Sequence, residues 1–101
     1  MSELFAIKLD KSKQHYVISG EMTLESATVA LAETKALFDD ETHIEIDLKN
    51  VTRSDSAGLA LLIEWARQAK QKHKTIRFLH IPEQMLAIAK ASALEEVLPL
   101  N

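Results

Sequence analysis

"HIEIDL", residues 43–48, alternates at every position: Ile44, Ile46 and Leu48 point one way, and His43, Glu45 and Asp47 point the other. Period-two alternation marks a strand with one buried face. The polar face predicts cover on one side only, since strands buried on both faces read as continuous apolar runs. The flanking segments set the strand's direction. "TLESATVALAETKALF", residues 23–38, has helical spacing at Leu24, Ala27, Leu31, Thr34, Lys35 and Phe38. Thr23 is its expected N-cap, with Glu25 in the first turn. "TRSDSAGLALL", residues 52–62, opens a second helix that runs to about Lys72. "TIRFLH", residues 75–80, is a strand with Ile76 and Phe78 inward and Arg77 outward. Strands separated by helices in this way lie parallel and are joined by right-handed crossovers.

The outer segments complete the pattern. "LFAIKL", residues 4–9, places Phe5, Ile7 and Leu9 on one side, and "HYVISG", residues 15–20, is a second strand. The polar "DKSKQ" between them predicts an antiparallel hairpin. Pro82 is expected as the first residue of a third helix, "PEQMLAIAKAS". "LEEVLPLN" is a short terminal segment stopped by Pro99. The order is ββαβαβα. Crossovers of one hand that keep to one face must all step the same way, which predicts strand order 1-2-3-4. The expected fold is a two-layer α/β domain spanning residues 1–101, with a four-stranded mixed sheet and helices on one face.

Bulk properties narrow the function. The 101 residues suffice for one modest core. With 47% apolar and 27% charged residues, the chain has the balance of a folded soluble protein. Its net charge of −3 does not favour nucleic acid. The absence of cysteine excludes a disulfide framework, a thiol nucleophile and a thiolate zinc site. The N-terminal "MSELFAIKLDKSK" carries no signal-peptide pattern. The longest apolar run, "AGLALLI", falls far short of the ~20 residues that cross a bilayer. The expected location is the cytoplasm, with any membrane association made through a partner.

The second helix start holds the candidate site. Asp55 and Ser56 both stand where a side-chain oxygen caps free first-turn N–H groups, an interaction of about 1 kcal/mol. Gly58 costs roughly 1 kcal/mol relative to alanine in a helix, which points to a close approach by backbone or partner. On a helical wheel, Leu59, Leu62, Ile63, Ala66 and Ala69 face the sheet. Leu61 falls on the far side with Ala57, Glu64 and Gln68, and Trp65 lies at the boundary, four residues on from Leu61. Two readings follow: a binding patch running from Ser56 to Trp65, or a core-edge tryptophan with an incidental leucine.

Catalytic readings find no support in the residues. Ser56 has no base at motif spacing, because His15, His43, His73 and His80 lie in separate elements. No GxSxG, phosphate-binding loop or GxGxxG occurs. His43, Glu45 and Asp47 share a strand face but read as solvated rather than as metal ligands. Arg53 and Lys49 are either ordinary loop charges or contacts for an acidic partner or phosphate. "KQKHK", residues 70–74, reads as a solvated helix end. No catalytic residue, cofactor or metal is expected.

A strand ending in "IDLKNV", then "SDSAGLALL", then helix and strand, resembles the STAS domain, shared by sulfate-transporter tails and anti-sigma factor antagonists. "VISGEM", residues 17–22, resembles the family's Gly-Glu step after the second strand. In antagonists the serine after the aspartate is phosphorylated; the matching position is Ser56, with Asp55 before it and Gly58 after it. "DSAGLALLIEWARQAKQ" and "ALEEVLPLN" are similar to the small cytoplasmic STAS subunit of Mla phospholipid ABC transporters. That branch usually shows D-T-G-G-L-A-L-L, from which Ser56 and Ala57 depart. The resemblance implies a non-catalytic subunit, peripheral to the inner membrane, that binds the transporter's ATPase subunit. The implied contact is Asp55, Ser56, Ala57, Gly58, Leu61 and Trp65. The alternative is an anti-sigma factor antagonist, partnered by an anti-sigma factor or serine kinase and switched at Ser56.

Overall fold

A computed structural model describes residues 5–10, 15–39 and 41–94; of residues 35–37 it describes the backbone alone. The elements are β1 (Phe5–Asp10), β2 (His15–Met22), α1 (Leu24–Leu37), β3 (His43–Ser54), α2 (Ser56–Gln71), β4 (Thr75–Leu79) and α3 (Glu83–Ala91). The sheet runs β1-β2-β3-β4. β1 pairs antiparallel with β2, and the other pairs are parallel. This is the architecture expected from the alternation of residues 43–48. Leu4, the turn at 11–14 and the segment after Leu94 lie outside the described residues.

Tyr16, Ile18, Ile44, Ile46, Leu48, Ile76 and Phe78 form the sheet's covered face, each at most 8% exposed. Leu59, Leu62 and Ala69 of α2 press onto it. α2 is the middle helix, in contact with both α1 and α3. Met22 and Met85, both fully buried, fill the end of the core beside the start of α2.

β2 and β3 extend further than their apolar alternation suggests. They stay paired as far as Met22 and Ser54, both buried. Between residues 49 and 53 the side chains are exposed, apart from half-buried Val51. Backbone pairing rather than side-chain burial holds this end. Two register shifts between β2 and β3 accommodate it, each with the extra residue on β3, and one lies beside Gly20, whose φ of 93° suits glycine.

The inward face of α1 is shifted toward Ser26 and Ala30 from the one its spacing suggests, but keeps Thr34, Leu31 and Phe38 of the expected stripe. Ser26, Ala30 and Thr34 are buried, Ala27 and Leu31 half-buried, and Leu24 is 75% exposed. Thr23 stands at the N-cap position, but the capping hydroxyl is that of Ser26. Its Oγ accepts the Thr23 N–H at 2.9 Å and donates to the Glu21 carbonyl at 2.7 Å. Ser26 thus fixes the helix start one residue before Leu24, which turns outward, while the buried Thr23 hydroxyl finds no partner among the described residues. α3 begins at Glu83, so Pro82 precedes its first turn rather than opening it.

The open face of the sheet also departs from its expected solvation. His43 meets Thr75 and Glu45 meets Arg77, but Asp47 is only 2% exposed. Its register partners are Val17 and Leu79, and buried His15 lies beside it. Strands on both sides let neighbouring side chains close over a short carboxylate. Asp47 Oδ1 accepts the Lys49 N–H at 2.9 Å and faces His80 Nδ1 at 3.0 Å. The Lys49 ammonium lies 3.9 Å from Oδ2, and His15 Nε2 lies 3.8 Å from it. Burial pushes the Asp47 carboxyl up, but the Lys49 N–H, His80 and the Lys49 charge outweigh it and hold the group below its ordinary value. A depressed folded-state pKa stabilises above the unfolded value near 3.9 and is lost as pH falls through the folded one. Asp47→Asn is therefore expected to lower stability by about 1–2 kcal/mol at pH 7 in urea denaturation, with the gap closing below about pH 4.

Candidate functional site

The start of α2 is built around one carboxylate. Asp55 is the N-cap, extended at φ −142° and ψ −168°. Its Oδ1 accepts the N–H groups of Ala57 at 2.8 Å and Gly58 at 3.3 Å. Its Oδ2 faces the Leu24 N–H at 3.4 Å, at the first residue of α1. The Asp55 N–H in turn donates to the Met22 carbonyl at 3.3 Å. Two helix N-termini thus converge on one side chain. Of the two residues able to cap, Asp55 does so. Ser56 is left exposed as the first residue of the helix, and its side chain makes no hydrogen bond with the described residues.

Gly58 is explained from within the chain. A Cβ built on it would lie 2.3 Å from the Met22 carbonyl oxygen and 3.0 Å from Met85 Cε. The backbones of α2 and β2 approach too closely for any side chain. Gly58 is buried and supports the site without forming part of its surface.

Leu61 and Trp65 do not form an exposed patch. They are 4% and 2% exposed, within the core cluster. Trp65 Nε1 donates to Thr34 Oγ1 at 2.8 Å, and its ring meets Phe38 edge-on at 6.0 Å. Phe38 meets Tyr16 in the same way at 5.2 Å. The flank that the wheel left open is covered: the bond to Thr34 places α1 against it. The outer face of α2 runs instead through Ser56, Ala60, Glu64 and Arg67. Of these, Ser56, Ala60 and Arg67 are exposed, and Glu64 is half-buried and ion-paired with Arg67 at 2.5 Å. Leu61→Glu would bury a charge and report on folding rather than docking.

The surface at the helix mouth therefore comprises Ser56, half-buried Asp55 and Ala57, exposed Ala60 and Arg53, and Leu24. Leu24 escaped the sequence reading, which placed it inward. Its exposure could have been inferred from Thr23 and Ser26, whose spacing sets the helix start. Lys49 belongs to the Asp47 cluster instead. Among the described residues, no group of three or more histidine, aspartate or glutamate side chains is placed to hold a metal ion. Among the described residues, no helix is long and apolar enough to cross a membrane.

The profile of a family described as "Mlab, STAS domain" matches residues 5–99. The chain belongs to this STAS family. Over 57 residues it is 33% identical to the intermembrane phospholipid transport system binding protein MlaB of Haemophilus influenzae. That match covers 56% of this chain and 54% of the relative, so the two align over about half their lengths. The fold is shared with the phosphorylated Bacillus cell fate determinant SpoIIAA, at TM-score 0.66 and 17% identity over 96% of this chain and 90% of that one. An anti-sigma factor antagonist from Mycobacterium paratuberculosis gives TM-score 0.66 and 19% identity, covering 95% and 82%. At such identities the likeness concerns architecture alone.

The tight seat of this STAS domain's α2 on β2 makes a direct test possible. Gly58→Ala would gain up to ~1 kcal/mol of helix propensity. The clash with the Met22 carbonyl is expected to outweigh that gain and destabilise the domain by about 2 kcal/mol in chemical denaturation. A more stable Gly58→Ala variant would contradict the close approach.

Proposed function

We propose that this STAS domain is a non-catalytic binding subunit of an intermembrane phospholipid-transport ABC complex. It docks from the cytoplasmic side onto the ATPase subunit through the helix-mouth surface centred on Ser56. The observation that carries this reading is the family match across residues 5–99, supported by the partial identity with an MlaB protein. The local physics suits docking. Ser56 is a small side chain on a helix start held rigid by Asp55, with hydrogen-bonding capacity to offer a partner. Exposed Leu24 adds apolar area beside it.

A second reading, an anti-sigma factor antagonist switched at Ser56, draws on the serine itself, exposed at the first helical position. A phosphate there would add about −1.5 to −2 charges. The Ala57 and Gly58 N–H groups are already taken by Asp55, so the phosphate would stay in solvent beside that carboxylate. A partner seated on this surface would meet an unneutralised charge.

Titration of the ATPase subunit by calorimetry, with wild type, Ser56→Asp and Leu24→Asp, tests the docking surface. Both substitutions are on the surface, so melting temperatures should hold while affinity falls about tenfold or more. Undiminished affinity in both variants would remove the helix mouth as the contact. Phosphate found on Ser56 in protein from its native cell, with no affinity for the ATPase, would favour the antagonist reading.

A further inference from the structure

β1 is an edge strand, paired on one side by β2 and by no other strand among the described residues. Such an edge offers unpaired backbone groups to any extended chain that reaches it. Between β1 and α1 lies a groove of about 480 Å³. Phe5 and Ile7 line it from the strand and Val29 from the helix, with Glu25 and Glu33 on the helix side and Lys8 on the strand side. The three large apolar side chains exposed among the described residues all belong to these two elements: Leu9 at 45%, Leu24 at 75% and Val29 at 51%. The opposite edge, β4, has no such exposure beside it. Neither Glu25 nor Glu33 forms an ion pair with a described residue, and both are exposed.

The helix wall has a specific order. Glu25, Val29 and Glu33 stand at i, i+4 and i+8, one row along a helix surface. The row reads acid, apolar, acid. Eight helical residues span about 12 Å, and four residues of a strand span about 13 Å. A strand added beside β1 would face this row with every second side chain.

We propose that the β1 edge and the Glu25–Val29–Glu33 row form a second docking site, for an extended partner segment of basic-x-apolar-x-basic pattern. The segment adds to the sheet as a fifth strand. Its central apolar side chain meets Val29 and the groove floor at Phe5 and Ile7, and its two cations meet Glu25 and Glu33. Main-chain bonds supply affinity and the alternate side chains supply selectivity. A second copy of this chain fits less well, because β1 itself brings one cation, Lys8, between Ile7 and Leu9. The site lies along α1 rather than across the start of α2, so it stands independently of the helix-mouth reading.

The test uses the full chain, isotope-labelled, titrated with the acetylated and amidated peptide Thr-Lys-Thr-Val-Thr-Lys-Thr. Saturable amide shifts are expected in β1 and along residues 25–33. In the double variant Glu25→Lys, Glu33→Lys, affinity should fall about tenfold, and the matching peptide with glutamate for lysine should bind instead. No saturable shift, shifts centred elsewhere, or equal affinity for both peptides would overturn the proposal. Concentration-dependent dimerisation with β1 shifts in the absence of peptide would overturn it in favour of a second copy.

Discussion

The Asp55 carboxylate is the constraint on which the helix mouth depends. One oxygen holds the first-turn N–H groups of α2, and the other faces the first N–H of α1. Each helix leaves several N–H groups unpartnered at its start, and an anion is the natural partner for that positive end. By serving both helices, Asp55 fixes where α1 and α2 begin relative to each other. The Gly58 contact with Met22 then sets how deeply α2 sits on the sheet. Ser56 and Leu24 are exposed as a consequence. They are the residues next to Asp55 and Thr23 that have no place to turn inward.

The architecture was legible because its signals were strong and mutually consistent. The alternation of residues 43–48, the helix spacing on both sides and the one-face constraint together leave a single strand order. The candidate helix mouth was legible as a helix start, but not in which side chains reach its surface. Asp55, Ser56 and Gly58 stood out by residue type at a helix start. Leu61 and Trp65 were misplaced because a wheel treats a helix as lying on a sheet alone, whereas α2 is also flanked by α1 and α3. The hydrogen bond from Trp65 to Thr34 on α1 shows what a period cannot: which neighbour covers the second face.

Other features left little trace in the sequence for similar reasons. α2 ends with His73 at φ 59° and the Lys74 N–H on the Ala69 carbonyl. α3 ends the same way, with Ala93 at φ 56° and Leu94 reaching Ala89. Such endings usually announce themselves by glycine, and this chain uses neither of its two glycines there. Asp47 was hidden likewise. Its alternation with His43 and Glu45 is a solvated pattern, yet burial depends on the neighbouring strands and on His80 beyond β4, none of which the strand's own period reports.

The most direct test of the shared cap is amide hydrogen exchange in Asp55→Ala. If one carboxylate holds both helix starts, the amides of Leu24, Ala57 and Gly58 lose protection together, while those of Trp65 and Ala69 within α2 keep theirs. Loss confined to Ala57 and Gly58, with Leu24 unchanged, would show that α1 is capped independently and would contradict the account.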